Sequence, residues 1–264
     1  MLKGGFMEND FLCIADKKFK SRLIIGSGKF PSDEILLDCI KESEAEIITV
    51  AVRRVDLKNP ENSDILKVLD PSKIFIIPNT SGARNSKEAI RTAFLAREMG
   101  LSSWIKLEVV PDPRYLLPDP VETLKAAELL VKEGFTVLPY INADPVLAKK
   151  LEDIGCATVM PLGAPIGTNK GLTTIEQIKI IVEQSNVPVI VDAGIGKPSD
   201  ACRAMELGVD ACMINTAIST SDNPAKMAKA FKIAIEAGRM AYLAGLAPVR
   251  EFARASSPLE GILR

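Results

Sequence analysis

Histidine is missing from all 264 residues of this sequence. That absence removes a Ser-His-Asp triad, a Cys-His pair and any histidine-ligated zinc site. Acid–base work is left to Asp, Glu, Lys, Tyr or Cys. Cysteine is scarce too: Cys13, Cys39, Cys156, Cys202 and Cys212 are odd in number and form no Cys-x-x-Cys pair. Neither a disulfide framework nor a zinc ribbon is indicated, and no metal site is expected. Such cysteines suit small buried hydrophobes in a reducing cytoplasm. No run approaches the ~20 apolar residues of a transmembrane helix. The first ten residues turn acidic at Glu8 and Asp10 and lack the apolar core of a signal peptide. A cytoplasmic protein that does not engage membranes is expected. An excess of charge is lacking as well, with 33 Lys and Arg against 34 Asp and Glu. That balance argues against a nucleic-acid binder that works by neutralising phosphates, whereas a small phosphorylated ligand needs only a local patch.

What the sequence does contain is a repeat of short apolar runs. They lie at 23–25, 47–52, 74–77, 103–110, 136–141, 158–162, 188–192 and 211–215. Most are rich in Ile and Val without polar alternation, which is how parallel strands buried on both faces read. Amphipathic stretches of helical period separate them, at 32–43, 86–99, 120–133, 145–154, 174–184, 198–207 and 224–237. Several open on Ser, Thr, Asp or Pro, as helix starts do. Gly100, Gly134, Gly155 and Gly208 follow four of them, where a left-handed residue ends a helix. Eight strand–helix units in this length predict a single (β/α)8 barrel domain spanning residues 1–264. An open doubly wound sheet is less well supported, because no Gly-x-Gly-x-x-Gly follows the first strand. Residues 1–22 are expected to cover one end, and 239–264, with Arg239, Arg250, Arg254 and Arg264, to form a C-terminal tail.

The fourth run, Trp104-Ile105-Lys106-Leu107-Glu108-Val109-Val110, carries two charges two residues apart. Strand alternation puts Lys106 and Glu108 on one face and Ile105, Leu107 and Val109 on the other. With the apolar set against the outer helices, Lys106 and Glu108 point into the barrel. Desolvation is expected to lower the Lys106 pKa and free its amine as a nucleophile toward carbonyls, with Glu108 moving the protons of imine formation. The competing reading is a buried structural ion pair.

Three turns follow the last strands: Pro161–Gly171 with Gly163, Gly167 and Gly171, then Asp192–Ser199 with Gly194 and Gly196, then Asn215–Ile218. Barrels often bind phosphate at the loops after strands seven and eight, and glycine-rich backbone suits an anion. Glycine serves ordinary tight turns equally well. Asp192 has two readings, a second acid–base group or a cap of its own turn. The 79–84 segment either lines the site or merely turns the chain, and Arg53-Arg54 either meets an anion or a carboxylate or forms a solvated rim. Trp104 is read as a packing residue.

Taken together, Ile14–Lys17, Gly26–Phe30, Thr49–Arg54, Pro78–Thr80, Trp104–Val109, Val137–Tyr140, Met160–Gly167, Val191–Gly196, Asn215–Ile218 and Ala255–Pro258 make the chain resemble the ThiG family of thiazole synthases over nearly its whole length. The resemblance implies a (β/α)8 barrel whose Lys106 forms an imine with 1-deoxy-D-xylulose 5-phosphate. It places the catalytic carboxylates at Glu108 and Asp192 and the sugar-phosphate contacts at Gly167, Ala193, Gly194, Asn215 and Thr216. It further implies dehydroglycine as a second small substrate and the C-terminal thiocarboxylate of a ThiS-type carrier protein as the sulfur source. A homotetramer without cofactor is implied as well. One departure stands out: the loop runs Gly167-Thr168-Asn169-Lys170-Gly171 where the family commonly has Gly-Ser-Gly. A different imine-forming barrel, of the aldolase or pyridoxal-phosphate-synthase kind, and a non-catalytic carrier-binding scaffold are the rival readings.

Overall fold

The computed structural model describes residues 10–55 and 64–256. The chain opens with an antiparallel hairpin, β1 (Leu12–Ile14) and β2 (Lys17–Phe19). Eight strands then follow: β3 (Leu23–Gly26), β4 (Ile47–Ala51), β5 (Phe75–Asn79), β6 (Trp104–Leu107), β7 (Thr136–Ile141), β8 (Met160–Pro161), β9 (Ile190–Asp192) and β10 (Ala211–Ile214). Each falls within or overlaps one of the eight expected apolar runs. The run at 158–162 yields only two strand residues, because Pro161 has no amide to offer the ladder. All eight pair in parallel in the order β8-β7-β6-β5-β4-β3-β10-β9. Bridges Val159–Val189 and Leu162–Asp192 join β8 to β9, so the sheet closes into the expected barrel.

The helices are α1 (Asp33–Ser43), α2 (Asp64–Val68), α3 (Ser86–Glu98), α4 (Pro120–Lys132), α5 (Pro145–Asp153), α6 (Ile175–Gln184), α7 (Pro198–Glu206), α8 (Thr216–Ser219) and α9 (Pro224–Ala244). Their starts follow the local chemistry. Ser32, Asn85, Asp119 and Asp144 accept amides of the first turn, and proline occupies the first turn of α4, α5, α7 and α9. Helix α9 runs seven residues past the expected end at Ala237, so Arg239 sits on a helix and not in the tail. The reason is the run Arg239-Met240-Ala241-Tyr242-Leu243-Ala244, which has no helix breaker before Gly245.

Alternation along the strands sorts the core into two layers. Ile105, Leu107 and Val109 pack outward with Ala126, Ala127 and Leu130 of α4. Inside the barrel, Ile24, Ile47, Ile77, Trp104, Leu138, Met160, Ile190, Ala211 and Met213 form one cluster. The hairpin residues Leu12, Ile14 and Phe19 belong to that cluster and plug its N-terminal end. Trp104 meets Phe75 edge-on at 4.9 Å, as a packing residue does. Of the expected cover, residues 1–9 lie outside the described segments. Asp10 is held by Arg22 at 2.8 Å and by two bonds from Arg239, which ties the hairpin to α9. The lower half of the barrel interior is therefore largely apolar, and the charged inward residues Lys106, Glu108 and Asp192 lie toward the other mouth.

Candidate active site

Lys106 lies one step above the apolar plug, two residues beyond Trp104 on β6. Its Nζ is 2.5 Å from Glu108 Oε1 and 2.7 Å from Asp192 Oδ2, which arrives from β9. All three side chains are buried. Sequence alternation anticipated the pairing of Lys106 with Glu108, but only barrel closure brings in Asp192. Lys106 Nζ also stands 5.3 Å from the ring centroid of the buried Tyr140.

The electrostatics correct one expectation. Burial by itself pulls the Lys106 pKa down, but the charges and hydrogen bonds of Asp192 and Glu108 outweigh it and hold the ammonium form above its ordinary value. Lys106 therefore rests protonated, and a proton must leave before it can attack a carbonyl. Asp192 is suited to take it. Burial raises its pKa, Lys106 opposes that, and Glu108 raises it further.

These groups form the floor of a cavity of about 550 Å³ at the C-terminal ends of the strands. Lys106, Glu108, Asp192, Gly167, Ala193, Gly194, Asn215 and Thr216 all line it. The turns after β8 and β9 are interlocked. Gly163 N donates to Ala193 O at 3.2 Å and Gly171 N to Gly194 O at 2.8 Å. Gly194 has φ +81°, and a Cβ there would meet Ala164 N at 2.3 Å, so no larger residue fits. Ala193 itself holds φ +73°, a left-handed conformation costly for a residue with a side chain, maintained where the chain turns around the cavity. Asp200 secures the turn by accepting from Gly196 N and Lys197 N. In the variant loop, Asn169 lines the cavity while Lys170 stays exposed outside it.

One contributor escaped the sequence reading as a site residue. Lys29 follows β3 and points its Nζ to 3.5 Å from Thr216 Oγ1, beside Gly167. It places a positive charge against the glycine-rich rim. A lysine directly after Gly26-Ser27-Gly28 at a strand's C-terminal end was the available signal. Gly26 and Gly28 are bare because Asn215 packs against them, at 3.0 and 3.1 Å from where a Cβ would stand. Thr80 belongs to the 79–84 segment, for which lining the site was one of two expected roles. It is fully buried, and its amide donates to Lys106 O at 3.1 Å. Arg53 and Arg54 line the cavity as well, with Arg54 donating to Ser27 O at 2.9 Å. The thiols are poorly placed for chemistry: burial pushes Cys39 up to about 11 and Cys156 up to about 12.

A closed (β/α)8 barrel with a buried lysine between two carboxylates under a glycine-lined rim defines a barrel enzyme with a lysine–dicarboxylate centre. The family model described as thiazole biosynthesis protein ThiG matches residues 13–258. The thiazole synthase of Syntrophobacter fumaroxidans is 60% identical over 253 residues, covering 96% of this chain and 98% of its own. Thiazole synthase 2 of Syntrophotalea carbinolica is 59% identical over 255 residues, covering 97% and 98%. A chain in the crystal structure of the Amycolatopsis orientalis BexX/CysO complex superposes with a TM-score of 0.81 at 31% identity, over 92% of this chain and 98% of that one. The chain belongs to the ThiG family and is an enzyme of thiamine thiazole biosynthesis.

Proposed function

We propose that the chain works as one catalytic domain that joins Lys106 to 1-deoxy-D-xylulose 5-phosphate as an imine and carries the sugar through to a thiazole phosphate. The observation that carries this reading is Lys106 Nζ held at 2.5 Å from Glu108 and 2.7 Å from Asp192 on the cavity floor. Asp192 takes the proton that makes Lys106 a free amine. The amine adds to the substrate ketone, and a carboxylic acid of the pair protonates the resulting hydroxyl, which leaves as water. The imine acidifies the neighbouring C–H, and Glu108 or Asp192 shuttles that proton so that the carbonyl moves one carbon along the chain. The thiocarboxylate sulfur of the carrier adds to that carbonyl, and the carrier's acyl group shifts from sulfur to the former carbonyl oxygen and departs with it as a carboxylate. The sulfur left on the sugar adds to dehydroglycine, and attack of the resulting amine at the imine carbon closes the ring and releases Lys106.

Gly167, Ala193, Gly194, Asn215 and Thr216 receive the phosphate, with Lys29 supplying charge. Support comes from the fact that all five line the same cavity as Lys106 and from the Lys29–Thr216 approach. Sulfur arrives on a ThiS-type carrier. The family assignment supports that partner, and so does the similar A. orientalis chain, which was solved in complex with a second protein, CysO. The enzyme assembles as a homotetramer, for which exposed Ile233, Met240 and Leu243 on α9 offer apolar surface. We place it in the cytoplasm, where thiols such as its five free cysteines stay reduced. Among the described residues, no helix is long and apolar enough to cross a membrane.

Borohydride trapping with 1-deoxy-D-xylulose 5-phosphate, followed by peptide mass mapping, tests the central step. A reduced adduct on Lys106 is expected. An adduct on another lysine, or none, defeats the reading.

A further inference from the structure

Thr49 lies on β4 with the same inward parity as Ile47, whose side chain belongs to the apolar plug. Two residues further along, Thr49 faces the cavity above that plug and lines it together with Lys106. Its residue is only 3% exposed, and its Oγ1 has no hydrogen-bond partner among the described residues. Its backbone is engaged, since Thr49 O accepts from Ser27 N at 3.0 Å. The neighbouring residue across the β3–β4 ladder is Gly26, so no side chain stands there to meet the hydroxyl.

A buried hydroxyl without a partner carries a desolvation cost, and proteins retain few of them. Among the described residues, five buried side-chain polar atoms share this condition: Thr49 Oγ1, Thr123 Oγ1, Thr158 Oγ1, Asn215 Oδ1 and Ser219 Oγ. Of these residues only Thr49 and Asn215 line the cavity. Asn215 already has a place there among the proposed phosphate contacts. Thr49 has none.

We propose that Thr49 Oγ1 is a specificity group that hydrogen-bonds a secondary hydroxyl of the ketose chain while its ketone lies at Lys106. The inference rests on the imine reading above and deepens it. A hydroxyl both donates and accepts, so it recognises an alcohol of either orientation. A site built around such a group rejects an analogue that leaves it unpaired.

The test compares the wild type with Thr49→Val and Thr49→Ser. Two ketones serve as probes: 1-deoxy-D-xylulose 5-phosphate, and 4-oxopentyl phosphate, which keeps the ketone and phosphate but lacks both secondary hydroxyls. Binding is measured by calorimetry, and adduct formation by borohydride trapping against ligand concentration. Thr49→Val should weaken binding of the hydroxylated ketose about two- to tenfold, the range of one neutral hydrogen bond, and leave 4-oxopentyl phosphate unchanged. Thr49→Ser should restore the preference. Thr49→Val should also melt no lower than the wild type, because it removes an unpaired polar atom from a buried place. Equal loss for both ketones, or no loss for either, overturns the proposal. So does a lowered melting temperature, which would mean that the hydroxyl is bonded within the protein. The calorimetric arm stands apart from imine chemistry. A Thr49-dependent preference without any Lys106 adduct would uphold the hydroxyl contact while defeating the imine reading, and an adduct without the preference would do the reverse.

Discussion

Thr80 grips Glu108 by both of its main-chain groups: the Thr80 hydroxyl donates to Glu108 O at 2.7 Å and accepts from Glu108 N at 2.8 Å. Glu108 lies just beyond the last residue of β6, where the ladder no longer holds the backbone. The hydroxyl of Thr80 takes over that task, so the carboxylate that touches Lys106 is aimed from the neighbouring strand.

Thr80→Val keeps the shape and strands two buried main-chain groups. We expect a loss of about 2 kcal/mol in unfolding free energy, read by urea denaturation. Adduct formation at Lys106 should fall with it, since Glu108 loses its aim. Thr80→Ser, which keeps the hydroxyl, should recover most of both. A Thr80→Val protein of wild-type stability would show that these bonds contribute little.

Lys106→Met leaves Glu108 and Asp192 buried face to face without a cation. The cost at neutral pH should be about 3–5 kcal/mol, and no borohydride adduct should form. The pH dependence has a definite sign. Burial first and Glu108 second hold the Asp192 pKa above its ordinary 3.8, and the opposing pull of Lys106 is gone in the variant. The fold then favours protonated Asp192, so the penalty is absent below the unfolded-state value and grows as pH rises through the folded one. Unfolding at pH 5 and pH 8 should find the variant closer to the wild type at the lower pH. A gap that widens on acidification contradicts this.

Lys29 is exposed, so Lys29→Met should fold normally. If it supplies charge to the phosphate wall, the concentration of ketose phosphate that half-saturates adduct formation should rise about tenfold or more, the range of a charge-assisted contact. The trapped fraction at saturation should stay unchanged, and added salt should weaken the wild type more than the variant. Unaltered half-saturation removes Lys29 from the site.

Asp10 joins Arg22 and Arg239 at the plugged end of the barrel. The hydrogen bond from Arg239, opposed by burial and aided by the charge of Arg22, holds the Asp10 pKa below its ordinary 3.8. A lowered carboxyl contributes stability above its unfolded value and loses it as pH falls through the folded one. Asp10→Asn should cost about 2 kcal/mol at pH 7, with the gap shrinking below pH 3.8. Activity per folded molecule should be unaffected, since this cluster lies at the opposite end from Lys106.

The eight strands, most helix starts and the inward direction of Lys106 and Glu108 can be read from the residues alone. These are local matters: an Ile- and Val-rich run, a cap such as Ser32 or Asp144, and the two-residue period that no packing can alter without flipping every side chain of a strand. The residues alone also mark the glycine-rich turns after β8 and β9, because their composition suits little else. That Asp192 meets Lys106, 86 positions away in the chain, follows only from the folded barrel, since the contact depends on closing β8 onto β9. Closure reversed the expected Lys106 pKa as well. A strand in isolation reports one carboxylate and the cost of burial, whereas the closed barrel adds a second carboxylate, and two negative charges within 2.7 Å outweigh that cost. The Lys29–Thr216 approach and the unpartnered Thr49 hydroxyl depend on the same closure, which brings residues from opposite ends of the chain to one cavity.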